Sequence, residues 1–343
     1  MQTQAPNQRI GVINALRAFA AIFVAWGHFV AGHGKYLAFS GKYGYLGVDV
    51  FFVISGFVIP WSLYRARYTL RDYSRFLLKR NVRLYPPYVA SIAITILATN
   101  FIMAPVLHFP RVTVTAPGLL AHLTYLNGIL HVPWVNVVYW TLAIEFQWYL
   151  LVGLMFPLLV TRSRFSRYAV LAGMILSCLL VGNDRLIFRS LPIFLIGVLV
   201  FQYRVNLIAR REMLALIAVT VLAMLAPIGW IVACVSVATG ALIAFVAFEN
   251  RAMDRVGDIS YSLYLLHLPI GVTLICCLAR GLPYSGDYMV VLDVAGLAAS
   301  GLAAWIMYHL VEKPSQEMSS AIRLTHRTRE SAAPAPVAAV AAD

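Results

Sequence analysis

An all-α integral membrane protein is the fold class this sequence predicts, on three observations. Of its 343 residues, 61% are hydrophobic and only 12% are charged, which is more apolar surface than a soluble fold of this size has interior to bury. The apolar residues gather in runs of spanning length, roughly 20 residues being needed for each crossing. The Lys and Arg residues behind the formal charge of +13 lie between those runs, where they mark topology. They come with no motif that reads RNA or DNA, so the expected partner is the lipid bilayer and no nucleic acid.

About ten transmembrane helices are expected, near 10–31, 45–64, 86–107, 137–160, 168–183, 187–203, 213–229, 230–248, 259–279 and 289–310. Ala116 to His131 is shorter and carries His122, Asn127 and Gly128, so it is an eleventh span or a re-entrant segment. Loop charge decides. Arg65, Arg67, Arg71, Arg75, Lys79, Arg80 and Arg83, opposed only by Asp72, place the loop before the third span inside. If 116–131 does not cross, Arg162, Arg164, Arg167, Arg204, Arg210, Arg211, Arg251, Arg255, Lys313, Arg323, Arg327 and Arg329 also fall inside. If it crosses, the rule fails at every later loop. The N- and C-termini are therefore expected to be cytoplasmic, with the chain in the cytoplasmic (inner) membrane. Residues 1–311 read as the membrane domain, and 312–343 as a cytoplasmic, largely disordered tail. Cys178, Cys234, Cys276 and Cys277 show no paired spacing, so no metal site is expected.

Ionisable residues inside apolar runs are the informative ones, because each costs about 2.5–3.5 kcal/mol near the bilayer centre. Arg17 and His28 are eleven positions apart, which puts them on one helical face about 16 Å apart. Either they line a passage, or Arg17 snorkels inward and His28 anchors the outer helix end. Asp49 falls about one turn into the second span, at a depth similar to His28. It pairs with that imidazole or serves as a first-turn carboxylate. Thr141, Glu145, Trp148 and Tyr149 share a face of the fourth span, and Ser260, Tyr264 and His267 share another. Lys79, Arg80 and Arg83 stand at the inner mouth of the third span, where they anchor topology and suit phosphate binding.

In order, Arg17 and His28, the run Gly47-Val-Asp-Val-Phe-Phe-Val-Ile-Ser-Gly-Phe57, the Arg80/Arg83-Leu-Tyr-Pro mouth, Trp140-Thr-Leu-Ala-Ile-Glu145, and Ser260-Tyr-Ser-Leu-Tyr-Leu-Leu-His267-Leu-Pro269 resemble the membrane acyltransferase-3 family. That family includes O-acetylases of O-antigen, Nod factors and exopolysaccharides, and the resemblance covers about 9–311. It implies a multi-span helical enzyme that takes an acyl group, usually acetyl from cytoplasmic acetyl-CoA, to a carbohydrate hydroxyl. It also implies that Arg17 and His28 are required.

Acetyl transfer to an alcohol needs a base, oxyanion stabilisation and exclusion of water. The expected catalytic set is His28, Arg17, Glu145 and Asp49. His28 is a general base or a transient acyl carrier, and Asp49 or Glu145 fixes its tautomer. Lys79, Arg80 and Arg83 hold the phosphates of acetyl-CoA, and Ser55, Trp140, Tyr149, Tyr264 and His267 line the channel. The acceptor is a carbohydrate or glycolipid, with association with polysaccharide assembly machinery open. Two other classes remain open from the residues alone: a secondary transporter or flippase with a relay through Arg17, Glu145 and His267, and an assembly subunit docking through its basic loop.

Overall fold

The computed structural model describes residues 11–31, 39–282 and 287–324, and every regular element in them is helical. Arg327, Arg329 and the rest of the expected tail beyond residue 324 lie outside the described residues. In chain order the helices are α1 Gly11–Val30, α2 Leu46–Arg65, α3 Tyr73–Ala98, α4 Ala116–Leu123, α5 Asn127–Leu130, α6 Tyr139–Leu159, α7 Arg164–Leu180 and α8 Leu191–Arg204. They continue with α9 Arg210–Met224, α10 Trp230–Phe245, α11 Arg251–Asp258, α12 Ser260–Leu266 and α13 Tyr288–Met307. Short π and α turns extend α3 to Leu107, α12 to Leu278 and α13 to Ala321.

Among the described residues seven helical stretches are long and apolar enough to cross a membrane: those built on α1, α2, α3, α6, α8, α12 and α13. The expected spans near 168–183, 213–229 and 230–248 form α7, α9 and α10, of 17, 15 and 16 residues. At 1.5 Å per residue these reach about 22–26 Å, short of a roughly 30 Å hydrocarbon layer. The stretch built on α13 runs on to Ala321, so the boundary expected at 311 falls inside a helix.

The centre of the bundle is the α2–α8 pair, whose candidate spans have 67% and 72% of their residues buried. Phe52 of α2 stacks on Phe194 of α8 at 4.7 Å, and Phe194 stacks on Trp148 of α6 at 4.8 Å. The helices on either side bring the basic turns to one end. Arg167 at the start of α7 donates to the Leu207 carbonyl before α9, Arg204 at the end of α8 donates to the Ala244 carbonyl of α10, and Lys79 donates to the Ile322 carbonyl. All of these lie with the start of α1, where the Gly11 backbone lies against the Phe248 carbonyl.

The 116–131 segment folds into two short helices. α4 has eight residues, about 12 Å, too short to cross. The Thr115 side chain caps its start by accepting the Gly118 N–H, and Tyr125 and His131, both at positive φ, turn the chain. Buried His122 organises the segment: its Nδ1–H donates to the Gly118 carbonyl at 2.9 Å, and its Nε2 accepts the Val135 N–H at 3.0 Å. Burial holds the His122 pKa below its ordinary 6.5, so the neutral ring is the folded form. The sign follows: stabilisation of the segment is complete above about pH 6.5 and is lost as pH falls below that value towards the lower folded pKa. Amide exchange at 116–138, corrected for its intrinsic rate, is expected to accelerate relative to the α2–α8 core between about pH 7 and pH 5. Equal protection at both pH values contradicts this.

Candidate functional site

A cavity of about 410 Å³ opens among α1, α2, α3, α6, the α11–α12 junction and the extension of α13. It lies towards the end of the bundle that carries the basic turns, since its wall takes Asn14 and Arg17 from the start of α1, Trp61 from the last turn of α2, and Asp258 from the end of α11. Three guanidiniums (Arg17, Arg80, Arg83) and three carboxylates (Glu145, Asp258, Glu312) line it. The formal charges cancel, as a low-dielectric interior requires.

Four of these six charges are held by serine hydroxyls. Arg17 Nε–H donates to Ser260 Oγ at 3.2 Å, and Arg80 Nη2 donates to Ser62 Oγ at 2.9 Å. Ser55 Oγ–H donates to Glu145 Oε1 at 2.8 Å, and Ser262 Oγ–H donates to Glu312 Oε2 at 2.5 Å. Gln316 adds a second donor to Glu312 at 3.0 Å. Among the described residues none of the three guanidiniums is within salt-bridge distance of the three carboxylates. The Arg80 guanidinium also lies over the rings of Phe76 and Tyr149, 5.6 and 5.7 Å from their centroids. A serine satisfies part of Arg17, Arg80, Glu145 and Glu312 and leaves donors or acceptors of each for an occupant.

Helical spacing explains how the serines arrive. Ser262 follows Ser260 on α12 and points to another flank, so one helix holds Arg17 of α1 and Glu312 of the α13 extension. Ser55 and Ser62 are seven apart on α2, two turns on one side, and they hold Glu145 of α6 and Arg80 of α3.

Of the residues singled out from sequence, Arg17, Arg80, Arg83, Glu145, Tyr149 and Tyr264 line this cavity, and Ser55 touches it through Glu145. The other five fall elsewhere. Lys79 is turned to the Ile322 carbonyl at 3.2 Å. Asp49 and Trp140 face a different cavity. Among the described residues no hydrogen bond joins Asp49 or Glu145 to His28, so neither fixes its tautomer in this arrangement. His28 is exposed and its ring lies 5.2 Å from that of His267, at 36°. His267 is fully buried, and its Nδ1–H donates to the Tyr264 carbonyl at 2.7 Å, which leaves Nε2 as an acceptor without a partner. The Tyr264 ring, 5.8 Å from His267, is on the cavity wall, and its hydroxyl shares a 2.7 Å hydrogen bond with Thr141. Two ring contacts thus lead from the cavity to His28.

Asp258, Glu312, Asn14, Tyr261 and Gln316 were not anticipated. Glu312 follows the last apolar run and was assigned to the tail. Its sign in the sequence is its place just beyond a span, in register with nothing apolar, and its partner Ser262 lies in a run already noted for polar residues.

A family model described as an acyltransferase domain matches residues 10–309. Among curated proteins, "Protein 2 in picA locus" of Rhizobium radiobacter is 36% identical over 109 residues, which is 32% of this chain and 54% of that protein. The chain therefore spans about half the length of that relative. No solved structure matches the chain.

Proposed function

The chain belongs to the acyltransferase family whose model covers residues 10–309, and on that premise we propose that it moves an acyl group, acetyl in the first instance, from cytoplasmic acyl-CoA to a hydroxyl of a cell-surface or exported carbohydrate. The observation that carries this reading is the cavity in which serine hydroxyls hold half-buried guanidiniums apart from carboxylates. Guanidiniums with donors to spare are good hosts for the phosphates of a nucleotide-bearing donor. By the positive-inside rule the end with the basic turns is cytoplasmic, so the cavity is entered from the side where acyl-CoA is found. This orientation goes with ten crossings, in which the three shorter helices also span, and with both termini inside an inner membrane.

In this reading Arg80 and Arg83 receive the phosphates. The pantetheine arm runs past Arg17 towards Tyr264, and the thioester approaches His28 by way of His267. His28 takes the proton of the acceptor hydroxyl, the oxygen attacks the thioester carbonyl, and the C–S bond breaks. The proton then passes to the departing thiolate, which gives ester and CoA-SH. An acyl-imidazole on His28 is the two-step form of the same transfer. Glu145, held by Ser55, offsets the cations beside it.

The test is reconstitution of the purified chain in liposomes with radiolabelled acetyl-CoA and extracted surface glycan, followed by mass spectrometry of the glycan. Label on the carbohydrate is the expected result, and label confined to water-soluble acetate overturns the reading. Arg83→Ala is expected to raise KM for acyl-CoA about 10- to 100-fold, the range for loss of a hydrogen bond to a charged group, with a smaller change in kcat. An unchanged KM removes Arg83 from the donor site.

A further inference from the structure

A second cavity, about 420 Å³, lies on the other side of the α2–α6 pair. Neighbouring residues of these helices divide between the two spaces. Val48 and Leu142 face the first cavity, whereas Asp49, Ala143 and Ile144 face the second. Asp49 sits in the first turn of α2 and Trp140 in the first turn of α6, at the ends remote from the basic turns. The rest of the wall comes from the 116–138 segment, the α7–α8 turn and Ile228 of the α9–α10 turn. This cavity therefore opens at the face opposite to the one from which the guanidinium cavity is entered.

Its lining has a particular chemistry. Asp49 is 9% exposed and, among the described residues, has no hydrogen bond or salt bridge. A carboxylate so enclosed is costly unless an occupant or water supplies donors. At the rim Arg189 pairs with Asp184, and Arg185 contacts the His131 ring, which does not offset its charge. The two carboxylates and two guanidiniums of the wall, Asp49 and Asp184 against Arg185 and Arg189, cancel formally, so a phosphate or other anion meets no net positive charge here, and Asp49 repels it. Aromatic surface completes the wall. Trp134 is fixed edge-on to His122 at 5.9 Å and 89°, Tyr125 is stacked on Phe146 at 5.2 Å, and Trp140 is 40% exposed.

An occupant that brings several hydroxyl donors to one carboxylate and flat C–H faces to indole rings is a pyranose sugar. We propose that this second cavity is the acceptor subsite of the enzyme, in which Asp49 accepts hydrogen bonds from saccharide hydroxyls while Trp134 and Trp140 pack against the sugar ring. The proposal rests on the carbohydrate-acceptor reading and adds where the acceptor is held. The α2–α6 wall, bonded through Ser55 and Glu145, separates this subsite from the donor cavity. The site holds a part of the glycan remote from the reacting hydroxyl, because His28 lines neither cavity. The saccharide comes either from a free polysaccharide chain or from a lipid-linked sugar, whose hydrocarbon would run along Ile129 and Ile193.

The experiment uses the full chain in nanodiscs and two probe panels: free neutral and acidic tetrasaccharides, and the same saccharides on an undecyl lipid placed in the disc. Binding is read by tryptophan fluorescence quenching, and acetyl-CoA binding is measured separately on each preparation. At least one saccharide is expected to bind, and Asp49→Asn and Trp134→Ala are each expected to weaken it at least ten-fold with acetyl-CoA affinity unchanged. Binding in the free panel identifies a polysaccharide source, and binding confined to the lipid panel identifies a lipid-linked one. Equal saccharide affinity in both variants and the unsubstituted protein overturns the proposal, as does the absence of saccharide binding from both panels. If the carbohydrate reading itself fails, the label from acetyl-CoA appears on a product with no sugar mass, a result distinct from either.

Discussion

Replacing His28 with Ala is expected to abolish measurable transfer to the glycan, a loss of about 10²–10⁴-fold, while the chain still inserts and keeps its thermal midpoint. The two halves of this expectation have separate causes. The His28 side chain is exposed and meets the fold chiefly through its ring contact with His267, so truncation opens no core cavity. Exposed substitutions of this kind usually stay within about 0.5 kcal/mol. The chemical loss follows because the imidazole in ring contact with His28 cannot take over its role: His267 is fully buried and its Nδ1–H is committed to the Tyr264 carbonyl. The rate profile distinguishes a base from a mere packing residue. The unsubstituted enzyme should lose activity on acidification as His28 protonates, and the variant's residual rate should lack that limb. His28→Gln, which keeps size and polarity without a titrating nitrogen, should be as inactive as the alanine variant. Transfer at the ordinary rate by either variant ends the assignment.

Seven of the ten expected crossings have helices of spanning length and were readable because lipid-facing helices must be apolar along their whole length, and the helix pairings were not, for the same reason. A helix apolar all round has no stripe that shows which face meets which neighbour. Hence spacing alone put Arg17 and His28 on one helical face, yet only Arg17 lines the guanidinium cavity, and the gathering of Arg80 and Arg83 with Glu145 was not legible, since it depends on how α3 and α6 are rotated against each other. Whether Asp49 points to His28 or away depends on the rotation of α2 about its own axis, and the uniformly apolar run around it says nothing of that. The serine partners escaped notice because Ser55, Ser62 and Ser262 read as ordinary small residues of a membrane helix. Their meaning appears only once the opposing charge is in place. Lys79 was grouped with Arg80 and Arg83 by adjacency, yet one step along a helix turns a side chain by about 100°, enough to take it from the cavity to the Ile322 carbonyl.

Gly197→Ala is expected to destabilise the chain severely. Gly197 of α8 crosses Gly56 of α2, and a Cβ added there falls 2.2 Å from the Val53 carbonyl oxygen and 2.7 Å from the Phe57 nitrogen. The reciprocal change, Gly56→Ala, places its Cβ 2.1 Å from the Phe194 carbonyl oxygen. Both obstacles are backbone atoms and cannot turn aside as a side chain does, so the two helices must part. Small residues at such crossings let backbones approach in membranes, where packing replaces the hydrophobic drive between helices. Separation also undoes the Phe52–Phe194–Trp148 stack beside the crossing and moves α2, which carries Ser55, Ser62 and Asp49. The cost should be about 3 kcal/mol or more, at or above the upper end for overpacked cores. Gly173 of α7 and Gly301 of α13, which have nothing within 4 Å of an added Cβ, are the controls. Their alanine variants gain helix propensity and should be neutral or slightly stabilised. Thermal midpoints and the monodisperse fraction in detergent, compared across the four variants, read the difference directly. Gly197→Ala unfolding at the same temperature as Gly173→Ala would show that α2 and α8 are not packed backbone to backbone, and the placement of both cavities on either side of α2 would fall with it.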